Sequence, residues 1–159
     1  MRKESGFSLI ELLIVVAIIL VIAAIAIPNL VKSRMSANEA SAVSSLRSIN
    51  TAQTSYMVSY PEVGYADALT KLAASSSGTI GPNSAGLLDW VLGCPSQPCQ
   101  KSGYNFSIVN ATGTPVSSYQ VTAVPTLLNQ TGHRGFCTDQ VPTMSYDPSG
   151  GTNCTLPLQ

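Results

Sequence analysis

An acidic residue stands at the head of the longest apolar stretch in this chain. Residues 12–27 are sixteen consecutive apolar side chains, Glu11 precedes them, and Phe7, Leu9 and Ile10 lengthen the run on its N-terminal side. A helix crossing the hydrocarbon of a bilayer needs about 20 predominantly apolar residues. Residues 7–30 therefore read as a transmembrane helix that admits one carboxylate. Such a carboxylate costs roughly 2.5–3.5 kcal/mol at the centre of a membrane helix and less near its end, and a residue kept at that cost is a functional candidate with a partner to be found. A short basic and polar leader, Met1-Arg2-Lys3-Glu4-Ser5-Gly6, lies in front.

Three kinds of segment begin this way. A secretory signal has a basic start and an apolar run, and Ala24-Ile25-Ala26 even mimics its cleavage pattern. Its apolar region gains nothing from an acid at the front, so Glu11 argues against it. A plain membrane anchor has the right length but explains neither Gly6-Phe7 nor Glu11. The third kind accounts for all of them. A charged leader ending in Gly6, the aromatic Phe7, an acid four residues later and an apolar run resemble the processing site of type IV prepilins and their pseudopilin relatives.

The resemblance implies a sequence of events. A membrane-embedded aspartyl peptidase cuts after Gly6, Phe7 becomes the new N-terminus, and its amine is methylated. Glu11 of an incoming subunit pairs with the Phe7 amine of the previous one and sets the register of a fibre. Physical chemistry supports such a pairing, because a lone buried charge is far costlier than a paired one and fixing register is the best-attested use of buried pairs. A head-to-tail contact of this kind produces helical filaments, not closed rings. The resemblance also gives Pro28 an assembly role, the helix around it loosening as subunits pack, although Leu20 occupies the stretch where many relatives carry a helix-weakening glycine.

The rest of the chain suits a secreted structural subunit. Its 159 residues allow one domain plus an anchor. Charged residues make up only 10%, and removing the leader takes two of the eight basic and one of the eight acidic side chains, leaving six and seven. No basic patch of the kind that holds a nucleic-acid backbone results, and no specific nucleic-acid binding is expected. Arg2 and Lys3 before the apolar run are balanced by Lys32 and Arg34 after it, so the positive-inside count is neutral. A cytoplasmic leader is implied by the resemblance.

Four cysteines, Cys94, Cys99, Cys137 and Cys154, follow the membrane segment. An even number in an exported domain reads as two disulfides, and four cysteines allow three connectivities. Nearest-neighbour pairing, Cys94–Cys99 and Cys137–Cys154, is the one expected. Zinc binding wants closer spacing and more histidine than the single His133. Asp139 and Asp147, near Asn153, match no EF-hand spacing. No metal or cofactor is expected.

Residues 7–60 contain no glycine and one proline, Pro28, and read as one long helix. Its first half is apolar all round. After Lys32, Ala42, Val43, Leu46, Ile49, Tyr56 and Tyr60 recur at helical spacing, with Glu39, Arg47 and Gln53 among the polar positions. At ~1.5 Å per residue such a helix spans ~80 Å, too long for a compact globule of this size, so its apolar half is expected to project. Pro61 ends it. Residues 67–72 and 86–92 are expected to form short helices, with Trp90 packed in the core, and Ser75-Ser76-Ser77-Gly78 to form a loop. Residues 104–109, 118–124, 134–138 and 141–146 alternate as four strands, the first two joined by a turn at 110–113.

The resulting organisation is a leader at 1–6, a membrane or fibre-core helix half at 7–30, and an amphipathic half at 31–60. A connecting region at 61–100 and a sheet with a disulfide-closed C-terminal loop at 101–159 complete it. The expected fold class is α+β, which the resemblance makes the type IV pilin fold, with the long helix packed on a small antiparallel sheet. No nucleophile elbow accompanies His133, so an enzyme is not expected. The implied function is a structural subunit of a bacterial type IV pilus serving adhesion, motility or DNA uptake. A pseudopilin of a type II secretion system is the alternative, and a membrane-tethered periplasmic enzyme a remote one. The implied partners are further copies of the chain, the prepilin peptidase/methyltransferase and an inner-membrane assembly platform. The implied location is the inner membrane first and an extracellular fibre afterwards.

Overall fold

A computed structural model describes residues 7–75 and 78–158 of the chain. The leader and Ser76-Ser77 of the expected serine loop lie outside the described residues. The chain divides into two units, Met1–Arg34 and Met35–Gln159. One helix, α1 (Leu9–Ser59), supplies the described secondary structure of the first unit and enters the second. It continues through Pro28, where the ring removes one donor from the helical ladder. Beyond Ser59 the Tyr60 amide donates to Tyr56 O, and Gly64, at φ +83°, donates back to Tyr60 O. Gly64 closes the turn that follows the helix in a left-handed conformation that glycine adopts without strain.

The second unit is the α+β fold. After α1 come a single helical turn, α2 (Leu69–Leu72), and six strands: β1 (Cys99–Lys101), β2 (Tyr104–Thr112), β3 (Ser118–Pro125), β4 (Gly135–Asp139), β5 (Met144–Asp147) and β6 (Leu156–Pro157). They pair in chain order as one antiparallel sheet. Alternation in β2 buries Tyr104, Phe106 and Ile108. Opposite them, Ile108 pairs with Val121 and Phe106 with Ala123. This face meets Leu46, Ile49 and Tyr56 of α1 in a core that also takes in Leu69, Leu72 and Phe136. The periodicity along α1 and along β2–β3 thus meets its expected counterpart, each element covering the other's apolar face.

Several local expectations need correction. The sheet has six strands, not four, because two short segments, β1 and β6, add to its edges. The hairpin joining β2 and β3 turns at 113–117, not 110–113; Asn110, at φ +54°, sits in a register shift and β2 continues to Thr112. Val141 and Pro142 precede β5 and belong to no strand. Residues 86–92 form no helix: Leu87 and Leu88 donate to Leu72 O, and the chain then turns through residues 90–93. That turn leaves Trp90 outside the core, 60% exposed.

Gln53, one of the polar positions along the helix, is fully buried. Its amide accepts from Ala66 N and donates to Ala66 O, both at 2.8 Å, so the connecting segment is tied to α1 as a neighbouring strand would be. A second buried polar chain joins helix to sheet. Tyr119 OH donates to Asn50 Oδ1, Asn50 Nδ2 to Thr138 Oγ1, and Thr138 Oγ1 to Thr143 O. Buried polar groups satisfied in this way specify one packing of the helix on the sheet.

Candidate functional site

The N-terminal unit presents an apolar surface with one carboxylate at its start. Phe7 is 84% exposed and Ser8 lies before the helix, so regular structure begins two residues into the apolar segment. Ser8 N donates to Glu11 Oε2 at 3.1 Å, and Leu12 N donates to Ser8 O at 3.3 Å. From Leu9 to Val31 every large apolar side chain is exposed. This unbroken apolar surface far exceeds what a soluble monomer shows, and lipid or further protein has to cover it. Among the described residues α1 is the one helix long and apolar enough to cross a membrane. Pro28 lies inside it, with Asn29 Nδ2 donating to Ile25 O one turn back. Gly6, the expected cleavage residue, lies outside the described residues.

Among the described residues the second unit holds three ion pairs, Lys71–Asp67, Lys101–Asp89 and Arg134–Glu39, and the last is the most buried. Glu39 of α1 accepts from the amides of His133 and Arg134 through Oε1, and from Arg134 Nε and Nη2 through Oε2 at 2.9 and 2.7 Å. Partial burial opposes the charge, but the His133 amide and the Arg134 side chain and amide outweigh it and hold the Glu39 carboxyl below its usual range. The guanidinium also lies 5.4 Å from the Phe136 ring centre and 5.3 Å from that of Tyr146. Asn38 Nδ2 donates to Thr131 O beside it. Two neighbouring residues of α1 thereby hold the loop between β3 and β4, and His133 is an exposed part of that loop.

The cysteines pair as Cys94–Cys99 and Cys137–Cys154. The second bridge closes a loop that Asp147 also organises. Its carboxylate is 5% exposed as a residue and accepts from Ser149 Oγ, Ser149 N and Asn153 N. These bonds, the serine hydroxyl's first, keep its carboxyl below the usual range. Asp147 is thus occupied within its own loop. Among the described residues no group of three histidine, cysteine or acidic side chains converges as a metal site would. A surface hollow beside α1 is lined by Arg47, Asn50, Thr51, Thr54, Thr143 and Leu158 among others and contains neither a histidine nor a carboxylate.

Residues 1–27 match the family model of the prokaryotic N-terminal methylation motif. Over 54 residues the chain is 48% identical to the type IV major pilin protein PilA of Myxococcus xanthus, covering 34% of this chain and 24% of that protein. Over 39 residues it is 59% identical to the type IV wide pilus major component PilA4 of Thermus thermophilus, covering 24% of this chain and 30% of that protein. The similarity to type IV pilins lies in the N-terminal part of the chain, which carries the prokaryotic N-terminal methylation motif. The chain spans less than a third of the length of the curated relatives it matches. No solved structure matches it.

The described members of the expected N-terminal set, Phe7, Glu11 and Pro28, all lie on the exposed first unit, whereas the cysteines lie in the second. Sequence reasoning passed over two features. One is Ser8, although Ser-x-x-Glu ahead of an apolar run is a recognisable helix start. The other is the Glu39–Arg134 clasp, whose partners are 95 residues apart and leave no local signal.

Proposed function

We propose that the chain is the precursor of a structural subunit of a bacterial type IV pilus. The observation that carries this reading is the methylation motif over residues 1–27 heading a helix whose apolar surface is uncovered in the single chain. A soluble fold would bury that surface. A precursor held in the inner membrane gives it to lipid, and a fibre gives it to neighbouring copies. On this reading the prepilin peptidase cuts after Gly6 and the Phe7 amine is methylated. An inner-membrane assembly platform then moves the subunit from lipid into the fibre.

Within the fibre, Glu11 meets the Phe7 amine of the neighbouring subunit, because an apolar surround leaves each charge no better partner. Pro28 marks where the helical ladder lacks one donor and yields most readily as subunits pack. The fibre then serves the cell in adhesion, motility or DNA uptake. Both curated relatives are named as pilus components, which favours a pilus over a secretion pseudopilus. Mass spectrometry of the mature protein tests the reading, with an N-terminus at N-methylated Phe7 expected. A chain beginning at Ile27, after Ala24-Ile25-Ala26, would mark a secretory signal instead and end the proposal. Electron microscopy should show surface fibres that disappear when this chain is deleted.

A further inference from the structure

Glu11 is the third residue of α1, and Ser8 is the residue just outside its first turn. The Ser8 amide donates to Glu11 Oε2 at 3.1 Å, which is the back-reaching half of a capping box. Among the described residues the Glu11 side chain makes no other polar contact. One oxygen is tied to the chain's own backbone and the other has no protein partner. An uncapped glutamate samples several rotamers, and in an apolar helix most of them lay the carboxylate against lipid. The capped one keeps it at the helix N-terminus, where the helix dipole favours negative charge.

We propose that Ser8 is a positioning residue for assembly. Its amide anchors Oε2 of Glu11 and thereby holds Oε1 ready for the amine of a second copy of this chain. The contact survives cleavage after Gly6, because the Phe7–Ser8 peptide bond stays intact. The inference rests on the assembly role of Glu11 proposed above and adds to it a geometric requirement: charge at position 11 is insufficient unless the side chain reaches back to the Ser8 amide. Two substitutions separate charge from reach. Glu11→Gln retains the reach, since glutamine also completes a capping box, and removes the charge. Glu11→Asp retains the charge and is one methylene too short.

The test uses the mature full-length protein. Hydrogen exchange of the Ser8 amide is followed by NMR in detergent micelles, and fibre yield is measured in cells making only the variant. Slow Ser8 exchange is expected in the wild type and in Glu11→Gln, and exchange faster by about tenfold, the scale of a lost helix cap, in Glu11→Asp. Fibre yield should fall several-fold in Glu11→Asp although the charge remains, while Ser8→Ala, which keeps the amide, assembles normally. Equal Ser8 exchange in the wild type and Glu11→Asp would overturn the proposal. So would wild-type fibre yield from Glu11→Asp. Wild-type yield from Glu11→Gln would instead overturn the assembly role of the charge, and the exchange pattern, read without fibres, tells the two failures apart.

Discussion

Replacing Glu39 with glutamine keeps the shape of the clasp between α1 and the loop before β4 and reverses half of its chemistry. Glutamine Oε1 can still accept from the His133 and Arg134 amides. Its Nε2 would face Arg134 Nε and Nη2, which now lie 2.9 and 2.7 Å from a carboxylate oxygen, so donors would oppose donors. Hydrogen bonds to charged groups contribute about 1.5–3 kcal/mol, and exposed ion pairs about 0.2–1 kcal/mol. The Glu39 side chain is 12% exposed and that of Arg134 39%, so the guanidinium can recover some hydration. A net loss of about 2 kcal/mol follows for the pair of bonds, or about 8 °C in Tm for a unit of this size.

Acid provides a sharper test of the same clasp. The folded-state carboxyl of Glu39 titrates below its unfolded value. Its contribution is therefore fully present above the ordinary glutamate range, about pH 4.3, and disappears as pH falls through the lower folded value. Thermal unfolding of the mature protein in detergent, followed by the near-ultraviolet signal of its tyrosines and Trp90, should separate wild type from Glu39→Gln at pH 7. The two curves should converge as pH falls below the ordinary glutamate range and through the lower folded value of Glu39, where the carboxylate takes up its proton. A gap below about 2 °C at pH 7 would refute the magnitude. A gap that stays constant all the way down the acid titration would refute the electrostatic reasoning. Arg134→Lys keeps the charge but loses both the fork and the stacking on Phe136 and Tyr146, so it should recover little of the wild-type stability.

Glu11→Gln should be synthesised, cut and retained in the inner membrane, since insertion becomes easier without the charge, yet enter fibres poorly; immunoblots of membrane and sheared-fibre fractions check this, and loss of the protein altogether would place its role earlier. The two disulfides should differ in weight. Cys137–Cys154 spans 17 positions and Cys94–Cys99 only 5, so loop entropy assigns about 3 kcal/mol to the first and about 2 kcal/mol to the second. Denaturant titration of Cys154→Ser and Cys94→Ser, each with its partner also changed to serine, should show that order.

The long helix, its apolar half and the strands β2 and β3 were legible in the sequence because local periodicity and composition produce them, and the N-terminal methylation motif was legible through its resemblance to prepilins. Sixteen apolar residues in a row form a helix wherever backbone donors cannot reach water, and the alternation at Tyr104, Phe106 and Ile108 needs only one buried face. Other features depended on the closing of the chain. β1 and β6 are too short to announce themselves and exist as additions to strands already paired. Trp90 was expected inside by its side-chain chemistry, but the backbone bonds from residues 87 and 88 to Leu72 and the turn after them place it outside. Gln53 is buried because Ala66, thirteen residues away, offers both a donor and an acceptor to its amide. Glu39 finds its cation 95 residues later, a distance over which only the folded sheet can bring two charges together. The sequence by itself settled which segments are apolar, which are helical and where a carboxylate stands against the rule. Tertiary structure decided which polar groups are paired and therefore which can be buried, because that depends on partners no local window contains.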